Sequence, residues 1–403
     1  MNTYFSELGR TVYERWEKEN FSLKAFPGIA TKALKEKPPS KHVDLKALMR
    51  DFLLEDEQPF QTTSGFGQPE LIVYDNPKFY IQLLFWLDGT TDIHQHGFSG
   101  AFHVMEGSSI HSEFEFRNPH PVTAHFRLGE LSLKKAELLE RCVSVPILSG
   151  GGCIHSLFHL ETPSVTVVVR THSDPGTGPQ FTYLPPHVAL DPMKEDALTL
   201  RRKQLLDAME RTGDPGYAAL VTTMVGKLDF ERGFFILQNC MGHLKAIGAW
   251  ERVWKSFAKR HGKLAGKIAP TLEEIVRRDA LVAMRSSIEE VEHRFFLALL
   301  LTVPDRTRIL AMIGKRYQGK PLETISGWAG ELAITTEGGT WILDARFPEE
   351  LHVAEEEQIP LFLGVLDHLL QGGKPPAWLA KFPKVLTALK DSLTKSSWRV
   401  LIR

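Results

Sequence analysis

Cysteine is scarce in this chain: Cys142, Cys153 and Cys240 are the only three among 403 residues, an odd number with no CxxC spacing. Such a set builds neither a disulfide framework nor a cysteine-ligated zinc site. A reduced, cytoplasmic protein is the expectation. Charge of one sign is also lacking, since 48 Lys+Arg stand against 49 Asp+Glu for a net charge of -1. No overall positive field exists to hold nucleic acid or an anionic membrane, and nucleic acid is not an expected partner. Long hydrophobic runs are missing too. The longest, 295–303, falls far short of a bilayer span, and residues 1–16 carry Glu7, Arg10, Glu14 and Arg15 among their apolar side chains, unlike a signal peptide. No membrane partner is expected. The chain shows no internal repeat and no low-complexity segment.

What is present suffices for more than one core: 43% of side chains are hydrophobic and 24% charged, and a domain takes roughly 100 to 200 residues. Three stretches differ in texture. In 1–70, Phe5, Leu8, Val12 and Trp16 fall at helical steps, as do Leu45, Leu48, Met49, Phe52 and Leu53, which predicts two short amphipathic helices. The pairs Pro27-Gly28 and Pro38-Pro39 read as turns between them. In 71–190 short β-branched and aromatic runs follow one another at 71–74, 79–87, 101–105, 109–116, 123–128, 142–148 and 165–171, punctuated by turn residues, including a turn at 149–152. Many short strands without long intervening helices favour an antiparallel sandwich or barrel. After Pro185-Pro186 the pattern reads as helical, and 191–403 is expected to form a mainly α-helical domain. Thr271 with Glu274, and Ser287 with Glu290, have capping-box spacing. Pro304 ends one helix, others are expected over 307–317, 361–370 and 379–393, and 340–344 is strand-like.

The chemistry lies in the β region. In Asp92-Ile93-His94-Gln95-His96 an extended backbone points His94 and His96 to the same side, so two imidazoles can meet at one point inside a barrel. A third histidine closes Gly150-Gly151-Gly152-Cys153-Ile154-His155, where glycines let the chain turn tightly and bring His155 toward the pair. Three neutral nitrogen donors result. They suit iron, and with a water they equally suit zinc, whose role would be hydrolytic or hydratase-like.

Over about 71–186 these residues resemble the cupin superfamily, whose two motifs join an HxH pair to a later GxxH histidine across a small double-stranded barrel. The resemblance implies an α+β fold: a cupin-type double-stranded β-barrel preceded by short helices and followed by a mainly α-helical domain. Many cupins place a glutamate ligand four or five positions after the pair; here those positions are Gly100 and Ala101. A three-histidine cupin without that carboxylate is similar to the thiol dioxygenases of the cysteine dioxygenase type. That likeness implies Fe(II) on His94, His96 and His155, dioxygen and a small or peptide-borne substrate as partners, and dioxygenation of a thiol. The chain departs from the type in three ways. The crosslinking cysteine near the pair is replaced by Gly100 or Ala101. The pocket Ser, His and Tyr fall by spacing on Val168, Arg170 and His172. No arginine stands between Leu71 and Leu87, where the type places its carboxylate clamp.

Arg170 and His172 are therefore the expected catalytic-pocket residues. If Val168 and His172 face the chamber, period two places Arg170 there, suited to a carboxylate, sulfonate or phosphate. The competing expectation is a buried ion pair with Glu113, Glu115 or another acidic residue of a neighbouring strand. His103 faces the chamber or the outside depending on a one-residue slip, with an outside, supporting role favoured; His159 either orients a ligand or is an ordinary sheet histidine. His111, His120 and His125 read as surface residues, and Cys153 as a small buried hydrophobe. Glu290 and His293 form an ExxH step better explained by helix capping than by a di-iron site. Trp250, Val253, Trp254 and Phe257, like Phe295, Phe296, Leu299 and Leu300, read as core stripes.

The order helix, turn, helix over 309–332, then 341–343, resembles a winged helix such as those following the barrel in some protein-modifying oxygenases. Three roles are open to the helical half: a homodimer interface, a cover for the barrel mouth, or a platform for a carrier or peptide substrate. Two other function classes stay open beside the oxygenase: a non-catalytic metal- or ligand-sensing cupin whose helical domain binds a partner, and a cupin hydrolase or isomerase using zinc or another metal.

Overall fold

A computed structural model describes residues 3–63, 65–87, 89, 91–335 and 352–402. The α+β class expected from the sequence is the one found, with short helices, a β region of one open sheet and one closed barrel, and a helical remainder. Four helices open the chain: α1 (Thr3–Lys18), α2 (Phe26–Glu36), α3 (Pro39–His42) and α4 (Leu45–Leu54). Two had been expected. Pro27 lies in the first turn of α2 and Pro39 in that of α3, where a residue without an N–H leaves no hydrogen bond unmade, so these prolines start helices instead of marking turns.

Among the described residues eleven strands follow: β1 (Glu70–Asp75), β2 (Phe79–Trp86), β3 (His94–His96), β4 (Gly100–Glu106), β5 (Ser109–Pro121), β6 (Phe126–Leu139), β7 (Ser144–Ile147), β8 (Gly150–His159), β9 (Ser164–Thr171), β10 (Thr182–Leu184) and β11 (Val188–Leu190). One sheet has the order β1-β2-β9-β4-β7, and β10-β11-β6-β5-β8-β3 closes as a barrel. Period two sorts the first sheet. Phe79, Ile81, Leu83 and Phe85 of β2, with Val165, Val167 and Val169 of β9, pack under α1 and α2 beside Phe5, Val12, Trp16 and Phe26. The alternate residues Tyr80, Gln82, Leu84 and Trp86, with Thr166, Val168 and Arg170, line a cavity on the other face. That is why β2 is buried along its whole length.

Three β features differ from the sequence reading. The run 150–152 belongs to β8 and is no turn: His96 pairs with Gly150 and His94 with His155, an irregular register in which Gly150 takes φ +62, open to glycine without steric cost. Pro185-Pro186 joins the hairpin β10-β11 instead of starting the helical part. Strand β6 runs on to Leu139 through Lys134 and Lys135, whose charge hid it.

The chain divides into two compact units, Met1–Lys135 with Leu139–Val276, and Ala136–Leu138 with Arg277–Arg403. In the first, α5 (Ala197–Arg211), α6 (Tyr217–Val225), α7 (Phe230–Ala246), α8 (Trp250–His261) and most of α9 (Lys263–Arg285) follow the strands. Phe126, Leu128, Val188 and Leu190 share a core with Phe230, Phe234, Val253 and Phe257, and Trp250 and Trp254 pack on it. Thr271 caps nothing: α9 runs through Pro270, and the Thr271 hydroxyl accepts the His187 N–H at 3.3 Å.

The second unit holds α10 (Val291–Thr302), α11 (Arg306–Arg316), α12 (Pro321–Thr335), α13 (Glu355–Gln371), α14 (Pro383–Lys395) and α15 (Arg399–Ile402). Phe295, Phe296, Leu299 and Leu300 are buried as expected, with Phe296 against Trp328 and Trp398. Glu290, and not Ser287, is the N-cap residue of α10. His293 pairs with Glu331 at 2.8 Å, and the ExxH step gathers no metal donors among the described residues. The strand expected at 340–344 lies outside the described residues. Among those described, no helix is long and apolar enough to cross a membrane.

Candidate metal centre

Strands β3 and β8 set three imidazoles face to face. His94 and His96, two apart on β3, point the same way, and the antiparallel register puts His155 beside them. Ring centroids lie 4.6 Å apart for His94 and His96, 5.0 Å for His94 and His155, and 4.9 Å for His96 and His155. One ligating nitrogen from each falls within 4.8 Å of the other two. All three side chains are buried. Burial lowers the pKa of each, and mutual repulsion adds to this at His96 and His155, both held well below the ordinary histidine value. Neutral rings with free lone pairs are the form that binds a metal.

The hydrogen bonds show which nitrogens are free. Asp92 O can only accept, so His94 Nδ1 donates to it at 2.7 Å and His94 Nε2 carries a lone pair; that atom is buried with no partner among the described residues. His155 Nδ1 lies 2.9 Å from His111 Nε2, and His155 Nε2 lies 2.8 Å from His96 Nε2. Two Nε2 atoms at that distance can share one proton at most, leaving the third nitrogen unsatisfied at a cost of about 1–3 kcal/mol. The three lone pairs of His94, His96 and His155 would be satisfied together by a divalent cation, and the His155 Nδ1–H would then donate to His111. The donor set fits such an ion.

His111 was expected at the surface, yet it is 1% exposed. Strand β5 pairs with β8, setting His111 opposite Leu157 and diagonally beside His155. Its polar neighbours Ser109, Ser112 and Glu113 hide the inward face from hydropathy. His120 is exposed, and half-buried His125 pairs with Asp191 at 3.2 Å.

The positions that could have carried a fourth, carboxylate ligand have no room for one. A Cβ on Gly100 would stand 2.2 Å from the Val169 carbonyl oxygen, and Ala101 is fully buried in the core under the N-terminal helices. His103 shares the Ala101 face, turned away from the cavity; its Nε2 bonds Ser40 Oγ and its Nδ1 Ser144 Oγ, each at 2.8 Å. His159 bonds Ser109 Oγ at 2.9 Å and stacks on Trp86 without reaching the cluster. Burial pushes the Cys153 thiol up to about 11, so it is held as the protonated thiol at neutral pH.

The cluster opens on a cavity of about 630 Å³, within the size range of small-molecule sites. Arg170 lines it. Its guanidinium lies 3.4 Å over the Phe98 ring and 5.0 Å from that of Tyr80, and donates to the backbone carbonyls of Thr171 (3.3 Å) and His172 (3.2 Å). Among the described residues it has no ion pair: Glu115 faces Arg117 instead, and Glu113 sits on β5. Burial lowers its pKa, opposed by Tyr80, Glu70 and Asp174. His172 does not join it. Strand β9 ends at Thr171, so the alternation stops there, and exposed His172 turns to donate from Nε2 to Asn76 O at 2.8 Å.

Three further cavity residues escaped the sequence reading: Gln82, Tyr80 and Trp86. Gln82 is 2% exposed, and its Oε1 has no hydrogen-bond partner among the described residues. A lone amide in the run Phe79-Tyr80-Ile81-Gln82-Leu83-Leu84-Phe85-Trp86 was the available signal.

No protein-family model matches the chain, and no curated protein matches it. Solved structures do. A cupin-2 domain containing protein from Shewanella frigidimarina is similar at 13% identity over 33% of this chain and 97% of its own, with a TM-score of 0.20. A hydroquinone 1,2-dioxygenase in complex with Cd2+ and 4-hydroxybenzonitrile shares 16% identity over 26% of this chain and 63% of its own, TM-score 0.20. A DMSP lyase from Ruegeria pomeroyi shares 14% identity over 44% and 95%, TM-score 0.23. The three-histidine geometry, and not these likenesses, carries the functional reading.

Proposed function

We propose that this chain is a mononuclear non-haem iron enzyme that oxidises an organic anion with dioxygen, with His94, His96 and His155 as the ligands and thiol dioxygenation as the leading reaction. The observation that carries the reading is the convergence of three buried, neutral imidazoles, one with an Nε2 that has no partner among the described residues, on a cavity that also holds an arginine with no ion pair among them. A divalent iron bound there supplies Lewis acidity and exchange of electrons with dioxygen, and three neutral ligands leave its charge free to attract an anionic substrate atom. The chain's own residues do the rest. Asp92 O and His111 fix the orientation of two ligand rings, and Arg170 receives the substrate's anionic group in a planar fork. Phe98, Phe102, Trp86 and Leu157 keep the reacting region apolar and exclude water.

The test is oxygen uptake by the chain reconstituted anaerobically with Fe(II), with thiols and other organic anions as substrates and product masses read by mass spectrometry. Substrate-dependent uptake with a mass gain of two oxygen atoms on a thiol supports the full proposal. Uptake with a different product retains the oxygenase and rejects the thiol. Ligand binding without uptake across the series rejects the enzyme in favour of a sensor, and turnover without uptake by the zinc-loaded chain rejects iron in favour of a hydrolase or isomerase.

A further inference from the structure

The cavity is not evenly polar along its length. Tyr80, Gln82, Leu84 and Trp86 succeed one another on the cavity face of β2, and the antiparallel register sets Tyr80 opposite Arg170, Gln82 opposite Val168, and Leu84 opposite Thr166. From Tyr80 to Trp86 the wall extends roughly 20 Å at the usual strand rise. At one end stands the guanidinium of Arg170, stacked on Phe98 and with no ion pair among the described residues. Midway is the amide of Gln82, whose Oε1 is buried without a partner among the described residues, an arrangement that costs free energy until a donor arrives. At the far end Trp86 is fixed by stacking on His159 at 4.7 Å and by its Nε1–H on Thr166 Oγ1 at 3.3 Å, and Phe66 meets it edge-on at 5.4 Å.

The histidines stand between these ends. His96 lies 4.6 Å from the Phe98 ring that carries Arg170, and His94 lies 6.0 Å from Phe66. Resting on the metal-centre reading above, we propose that the substrate is an elongated amphipathic organic acid. Its anionic group sits at Arg170, a hydrogen-bonding group such as an amide or hydroxyl meets Gln82, an apolar tail lies beneath Trp86 and Phe66, and the reacting group, such as a thiol, is carried as a branch between the two ends. A free amino acid spans only a small part of such a wall, and a cavity of about 630 Å³ would leave it surrounded by water.

Calorimetric titration of the full chain loaded with zinc, which has no redox chemistry, tests this without turnover. The probes are N-decanoyl-β-alanine, N-acetyl-β-alanine, tetradecanoate and decylamine. N-decanoyl-β-alanine is expected to bind about 100-fold or more tightly than its acetyl counterpart, because the added methylenes are buried. Decylamine is expected not to bind. Arg170→Met should lose about 10-fold or more of the affinity for N-decanoyl-β-alanine, with Arg170→Lys retaining more of it. Gln82→Leu should abolish the preference for N-decanoyl-β-alanine over tetradecanoate while leaving tetradecanoate binding intact. Equal binding of the acetyl and decanoyl probes, or decylamine binding as well as the acids, overturns the proposal. The His94→Ala chain separates the two readings. Acid and tail preference that persists there, beside unchanged metal content, leaves the substrate class standing and rejects the metal site; one metal per wild-type chain with no discrimination among probes rejects the substrate class alone.

Discussion

His111→Leu removes the acceptor of the His155 Nδ1–H while leaving all three ligand nitrogens in place. The bond is 2.9 Å long and its acceptor ring 1% exposed, so no water replaces it without reopening the interface between β5 and β8. An unpaired buried N–H costs about 1–3 kcal/mol, and losing the partner that orients a ligand histidine typically lowers metal affinity about 10–100-fold. These agree, since a 10–100-fold loss corresponds to about 1.4–2.8 kcal/mol. Zinc affinity measured by competition with a chromogenic chelator is expected to fall by that factor in His111→Leu. His111→Gln, whose amide oxygen can accept the proton, should recover part of it. The absorption bands of the cobalt-loaded protein should shift in His111→Leu as the His155 ring loses its fixed orientation. An affinity within about two-fold of wild type, with unchanged cobalt bands, would refute the argument that His111 holds His155 in its ligating form.

The pKa of buried His103 is lowered by burial, and then by Arg141, to about 4. The unfolded chain therefore takes up this proton first as the solution is acidified, and stability that is complete above about pH 6.5 is lost as the pH falls toward 4, by up to about 3 kcal/mol. Urea unfolding at several pH values should show a shallower acid slope for His103→Asn than for wild type; identical slopes would mean His103 is not the titrating group. Gly100→Ala places a methyl 2.2 Å from the Val169 carbonyl and should destabilise the chain by about 1–3 kcal/mol as β4 and β9 separate, read as a lower urea midpoint. A midpoint equal to wild type would show that a larger side chain fits there, undoing the account of the missing carboxylate.

Much of the site was legible because period two is a strong constraint. It aligned His94 with His96, placed Val168 and Arg170 on one face, and made 79–87, 101–105 and 165–171 readable as strands. The glycines before His155 were read as a turn because composition alone does not distinguish a turn from the irregular ladder that Gly150 makes with His96. His111 was missed because its strand is polar on the face it buries, and burial follows from pairing with β8, a long-range fact. His172 was misplaced by carrying alternation one residue past the end of β9. Thr271 has the spacing of a cap, but α9 continues through Pro270, and no local rule signals that tertiary packing will override the proline. Whether Arg170 has an ion pair was open in the sequence for the same reason: excluding Glu113 and Glu115 required knowing which strands are neighbours.

Metal content per chain tests the central claim most directly. After chelation and anaerobic reconstitution with Fe(II), the wild-type chain is expected to hold one iron, and His94→Ala, His96→Ala and His155→Ala each to hold none while keeping the wild-type circular dichroism spectrum. Full stoichiometric iron in all three variants would contradict the account.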